Sequence, residues 1–119
     1  MEKKDRNDFF AELEQEENRI AHEHYRAEQT EKEMSKLRTD YEGLFYKSTQ
    51  LFSKLEKLFH KSQTRYVFTE LFSEVKREEQ DIFERIDGEK AALHLKKKEL
   101  EQRENEIYYE KRRLKEELR

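Results

Sequence analysis

The chain has no cysteine, no proline and no tryptophan, and only two glycines among 119 residues. Without cysteine there is neither a disulfide framework nor thiolate chemistry, and the redox compartment is left open. With no proline and so little glycine, nothing in the composition interrupts long helices. No apolar run approaches the ~20 residues that cross a bilayer. The opening MEKKDRNDFF has no secretory apolar core, so the expectation is a soluble, cytoplasmic protein. Charge of one sign is missing as well: 26 basic side chains stand against 29 acidic ones, for a net charge of -3. Phosphate binding needs a concentrated basic surface, so nucleic acid is not expected as a partner.

Charged residues make up 46% of the chain and hydrophobic ones 33%, with a mean hydropathy of -1.37. That is too polar for a conventional globular core of this length. The apolar residues are nevertheless patterned, which separates the chain from a disordered polyelectrolyte. One heptad series runs Leu13, Ile20, Ala27, Met34, Tyr41 and Leu55; a second runs Phe72, Ile86, Leu93, Leu100, Ile107 and Leu114, with Ser48 and Glu79 as interruptions. Seven-residue spacing makes one stripe along a helix, and a stripe needs a partner surface to bury it. Folding the chain back near residue 63 provides one. Leu13 then meets Leu114, Ile20 meets Ile107, and so on to Leu55 and Phe72, each pair of residue numbers summing to 127. Positions three residues further along the first series agree, since Leu44 would meet Ile82 and Leu51 would meet Val75.

The reading is an all-α fold: an antiparallel two-helix coiled-coil hairpin over residues 1–119 that completes a helical bundle with a partner or a second copy. Helix one is predicted over about 7–59, with Asn7 or Asp8 as cap, and helix two over about 64–117. Each would be roughly 75 Å long, a rod rather than a ball. The link from His60 to Thr64 is polar but lacks Gly and Pro. The heptad phase breaks there, which favours a turn over one uninterrupted helix dimerising in parallel. Charge supports the antiparallel choice. Residues 1–35 carry six basic and eleven acidic side chains, and residues 90–119 carry ten basic and seven acidic ones. Glu12, Glu14, Glu16 and Glu17 would lie near Lys111, Arg112, Arg113 and Lys115, a matter of orientation more than of stability.

The apolar stripe is uneven. Towards the turn, Phe45, Phe52 and Phe59 form a third column, and the second helix brings Phe68 and Phe83. Two helices cannot bury a stripe that wide. These five phenylalanines are the predicted partner-binding face, because aromatic residues dominate interface energetics; closing a homodimer core is the competing use. Towards the termini the secondary positions become Glu16, Glu23 and Thr30, leaving a thin seam with one apolar layer per heptad. Gly43 and Gly88 lie where the wide part gives way to the thin one, as surface glycines without a role or, in the competing reading, as candidate bend points.

No arrangement of catalytic or ligating residues stands out, and the protein is not expected to be an enzyme. His22 and His24 lie on different helix faces and cannot chelate as an i, i+4 pair would; His60 and His94 have no companion ligand. The carboxylates sit at solvent-facing positions, the glycines belong to no phosphate loop, and Lys96 to Lys98 read as a solvated face. No metal or cofactor is expected.

A two-helix hairpin of this length resembles the small Esx-type proteins of type VII secretion, with one departure: the turn reads LFHKSQ and lacks the W-x-G motif. The stretch YEGLFYKSTQ, followed by LFSKLEKLFHKS, REEQDIFERI and the closing YYEKRRL, resembles a family of small α-helical proteins encoded beside LXG polymorphic toxins. The resemblance covers nearly the whole chain. It implies a targeting factor or chaperone that binds the helical N-terminal LXG domain of a toxin, together with a second small α-helical protein, and delivers it to a membrane-embedded export machine. Related substrates carry an aromatic-x-x-x-Asp signal, which Phe83 and Asp87 fit as written. The reading from another class is a structural stalk or adaptor, such as the antiparallel coiled coil of a flagellar or type III secretion ATPase complex. A stalk has no need of so wide an apolar face.

Overall fold

The computed structural model describes residues 3–117 as two helices, α1 over Lys3–Phe59 and α2 over Arg65–Glu117, with no strand among the described residues. They pack against each other as an antiparallel hairpin. Helix α1 is already formed at Lys3, so neither Asn7 nor Asp8 caps it. The reason lies in the next turns, where Phe9 and Phe10 pack against buried residues of both helices and hold the segment helical. Asp5 in the first turn and Lys57 and Lys115 in the last turns suit the helix dipoles.

The chain reverses over residues 60–64 without a positive φ. Two short turns do this. The Ser62 amide donates to the Phe59 carbonyl (2.9 Å) and the Arg65 amide to the Ser62 carbonyl (3.2 Å). Ser62 Oγ accepts from the Thr64 amide at 3.1 Å, a local side-chain bond of the kind that lets serine stand in for glycine at a reversal.

The hairpin divides into two compact units: a terminal unit, Met1–Glu31 with Ala91–Arg119, and a turn unit, Lys32–Lys90. In the terminal unit Leu13, Ile20, Ile107 and Leu114 form one buried cluster, with Phe9, Phe10 and Leu100 packed on it. Ile20 and Ile107 are 1% and 0% exposed, and Ala27 is buried too. The seam is narrow, and charged side chains close its flanks. Arg103 holds both oxygens of Glu16 (2.8 and 2.9 Å), Lys111 lies between Glu14 and Glu17, Lys97 reaches Glu31 and His24 meets Glu101 at 3.0 Å. Their aliphatic stems lie along the apolar layer while the charged heads pair at its edge. Of the expected basic cluster, Lys111 takes part; Arg112 instead pairs with Glu116 on its own helix.

In the turn unit only Phe45 and Ile86 are buried among the hydrophobic residues. Tyr41, Leu55, Phe72, Val75 and Ile82 are half-buried, as are Met34 in this unit and Leu93 in the other. Leu44 and Leu51 do not lie in the seam: they are 55% and 56% exposed. The column that turns toward α2 is the phenylalanine column, four residues past each layer rather than three. On an α-helix a residue four positions on is displaced by about 40° from the stripe, and one three positions on by about 60° the other way. The side chain nearer the stripe that is also the larger takes the place between the helices.

Candidate partner-binding surface

Across the turn unit the seam is built from aromatic pairs, one ring from each helix. Phe45 meets Phe83 edge-on with centroids 5.7 Å apart, Phe52 meets Phe72 at 5.3 Å, and Phe59 meets Phe68 at 5.2 Å. Tyr41 stacks on Phe45 from its own helix. Such pairs contribute about 0.5–1.5 kcal/mol beyond their burial. The five phenylalanines expected to form an outward face, Phe45, Phe52, Phe59, Phe68 and Phe83, are therefore engaged mainly with each other and with Phe72. Phe59 alone among them counts as exposed, at 37%.

What they displace becomes the surface. Leu37, Leu44, Leu51 and Leu58 recur every seven residues on α1 and are 39%, 55%, 56% and 76% exposed. Heptad spacing makes them one continuous stripe. Tyr46, Tyr66, Val67 and Leu71 are also exposed. Among the described residues the turn unit thus holds nine of the thirteen large hydrophobic side chains that stand in solvent, and the terminal unit four, Tyr25, Leu95, Tyr108 and Tyr109. Concentrated apolar surface marks an interaction site, whereas scattered single residues do not. The leucine series was visible in the sequence as an unbroken heptad from Leu37 to Leu58. What the sequence did not reveal was which of two adjacent columns faces α2. A shallow groove is lined by Thr49, Phe52, Ser53, Glu56, Phe68, Thr69 and Phe72.

Phe83 and Asp87, the candidate export signal, are both held by Arg38. The guanidinium lies 4.5 Å over the Phe83 ring and donates to both Asp87 carboxylate oxygens, at 2.9 and 3.2 Å. Arg38 also donates to Glu42. The hydrogen bond from Arg38 holds the Asp87 carboxyl below its usual range, and the same bond raises the guanidinium further. Phe83 is half-buried against Phe45. In the sequence the one signal for Arg38 is its position four residues before Glu42. Among the described residues no group of three or more His, Cys, Asp or Glu side chains is placed to hold a metal, and no helix is long and apolar enough to cross a membrane.

Fold and surface together define a helical hairpin with one sealed unit and one that leaves an apolar stripe in solvent. The chain belongs to the family described as Protein of unknown function (DUF3958), whose model matches residues 8–114. No curated protein and no solved structure matches it.

Proposed function

We propose that the protein is a non-enzymatic targeting factor or chaperone. It binds the helical N-terminal LXG domain of a toxin, together with a second small α-helical protein, and supports export of the toxin by a type VII secretion system. The observation that carries this reading is the exposed leucine stripe from Leu37 to Leu58, joined by the neighbouring apolar residues of the turn unit. An amphipathic helix docks on such a stripe with its own apolar face, at i, i+3, i+4 and i+7. The resemblance of the chain to proteins encoded beside LXG toxins supplies the identity of the partner. The docking residues are Leu44, Leu51 and Leu58 rather than the phenylalanines, which are occupied in the seam.

The test is co-purification of the tagged protein with an LXG domain and the second small helical protein, before and after changing Leu44 and Leu51 to Glu. Desolvating an unpaired carboxylate is costly enough to prevent docking. The expected outcome is loss of the complex and of toxin export, with helical content retained. Charge reversal at Lys96, Lys97 and Lys98 in the terminal unit is the control and leaves binding intact. A complex that survives the leucine changes and fails with the lysine changes moves the site to the terminal unit and overturns the assignment.

A further inference from the structure

The stripe that binds a partner helix is also complementary to itself. Leu37, Leu44, Leu51 and Leu58 are evenly spaced about a midpoint between residues 47 and 48. Turning a second α1 end for end about that midpoint sets Leu37 against Leu58 and Leu44 against Leu51, each pair occurring twice. Beside the stripe, on the side away from α2, the heptad places Glu33, Asp40, Lys47 and Lys54, with Lys61 following in the turn. The acids lie at one end of the stripe and the lysines at the other. Among the described residues none of these five forms an ion pair within its own chain. The antiparallel copy brings Asp40 to Lys54, twice, and Glu33 to the level of Lys61. A parallel copy would set this flank against the opposite flank of its partner, Tyr41, Ser48 and Leu55, and would form no Asp40–Lys54 pair. One like-charge meeting remains in the antiparallel arrangement, Lys47 with Lys47 at the axis. Lys47 is exposed, so the two long stems diverge into solvent.

We infer that the protein associates with a second copy of itself through α1, as an antiparallel, two-fold leucine pairing centred on Leu44 and Leu51. The contact is isologous, the same patch meeting itself, which closes the assembly at two chains. This deepens the functional reading above, on which it rests for the role of the stripe: the copy covers the docking surface until a partner helix takes its place. Four half-exposed leucines make a strip on the order of 400 Å², about half the ~800 Å² per partner of a standard stable interface. The pairing is therefore weak and exchangeable.

The experiment uses the full chain. Sedimentation equilibrium from about 1 µM to about 1 mM is expected to pass from monomer to dimer and no further. Leu44→Glu with Leu51→Glu keeps the chain monomeric throughout, at unchanged helicity. Asp40→Lys weakens the dimer, as Lys54→Asp does, and the two changes in one chain restore it. Because the chain has no cysteine, orientation is read directly. Chains carrying Leu44→Cys mixed with chains carrying Leu51→Cys form a cross-linked pair on oxidation, and neither variant does so alone. Self-cross-linking of each variant indicates a parallel dimer and overturns the inference, as does a chain still monomeric at the highest concentration. An unaltered chain that captures the LXG domain yet stays monomeric up to about 1 mM sinks this inference and leaves the functional reading standing. A dimer that forms as described in a protein that captures no LXG domain sinks the functional reading instead.

Discussion

The two units of the hairpin use opposite solutions to the same problem. The terminal unit has fewer large apolar residues and buries them better: Leu13, Ile20, Ala27, Ile107 and Leu114 are all at most 4% exposed. The turn unit has more and buries them less, with Phe45 at 7% and Ile86 at 6% as its best-covered hydrophobic residues. A thin stripe is matched by the width that two helices can cover, and the charged side chains beside it seal its edges. A wide stripe exceeds that width, so part of it must face solvent. The amount of apolar residue in a segment therefore says little about how dry its core is; the ratio of apolar width to covering surface decides. The seam expected to be thin proves to be the better sealed one, because Arg103, Lys111 and Lys97 pair across the helices with Glu16, Glu17 and Glu31.

The sharpest way to break this comparison is truncation. Ile107→Ala removes a side chain with no exposure and is expected to cost about 2–5 kcal/mol. Phe45→Ala in the turn unit is expected to cost about 3 kcal/mol, at the low end of the range for a buried ring. Leu51→Ala, at 56% exposed, should change stability by less than about 1 kcal/mol. Urea denaturation of the three variants ranks them, and a Leu51→Ala loss equal to that of Ile107→Ala would place Leu51 in a seam after all.

A smaller effect, of the opposite sign, comes from the glycines. Gly43 and Gly88 both lie inside helices of the turn unit, without positive φ and with open space where a Cβ would stand. Gly43→Ala and Gly88→Ala are each expected to stabilise by about 1 kcal/mol. Thermal denaturation checks this. A loss on either substitution would indicate that the glycine serves a bend or a close approach.

Acid is expected to act most weakly, and more on the terminal unit than on the turn unit. Hydrogen bonds from Arg103 and His24 hold the carboxyls of Glu16 and Glu101 below their ordinary value of 4.5. In the turn unit the bond from Arg38 does the same for Asp87, whose ordinary value is 3.8. A lowered carboxyl means that the unfolded chain binds more protons at those pH values. The stabilisation is thus present above the ordinary value and is lost as pH falls through it toward the lowered one. Amide exchange followed from pH 7 to below pH 4 is expected to show protection falling first around residues 16 and 101. The pairs lie at the partly exposed edge of the seam, so each contributes little.

The sequence by itself determined the helices, the reversal at residues 60–64 and the antiparallel pairing, because each follows from heptad spacing and its break, which are local properties of the chain. It also determined the primary layers, from Leu13 and Leu114 to Ile20 and Ile107, since a residue repeated every seven positions has only one face to lie on. It did not determine the rotation of α1 about its axis in the turn unit. Leucine at one flank of the stripe and phenylalanine at the other are both apolar, so hydrophobic pattern alone ranks them equally and lets Leu44 and Leu51 lie inside. Only the packing of both helices decides between them. Rings from α1 and α2 fill the seam in pairs, Phe45 with Phe83 and Phe52 with Phe72, and what cannot fit between two helices is left as the surface.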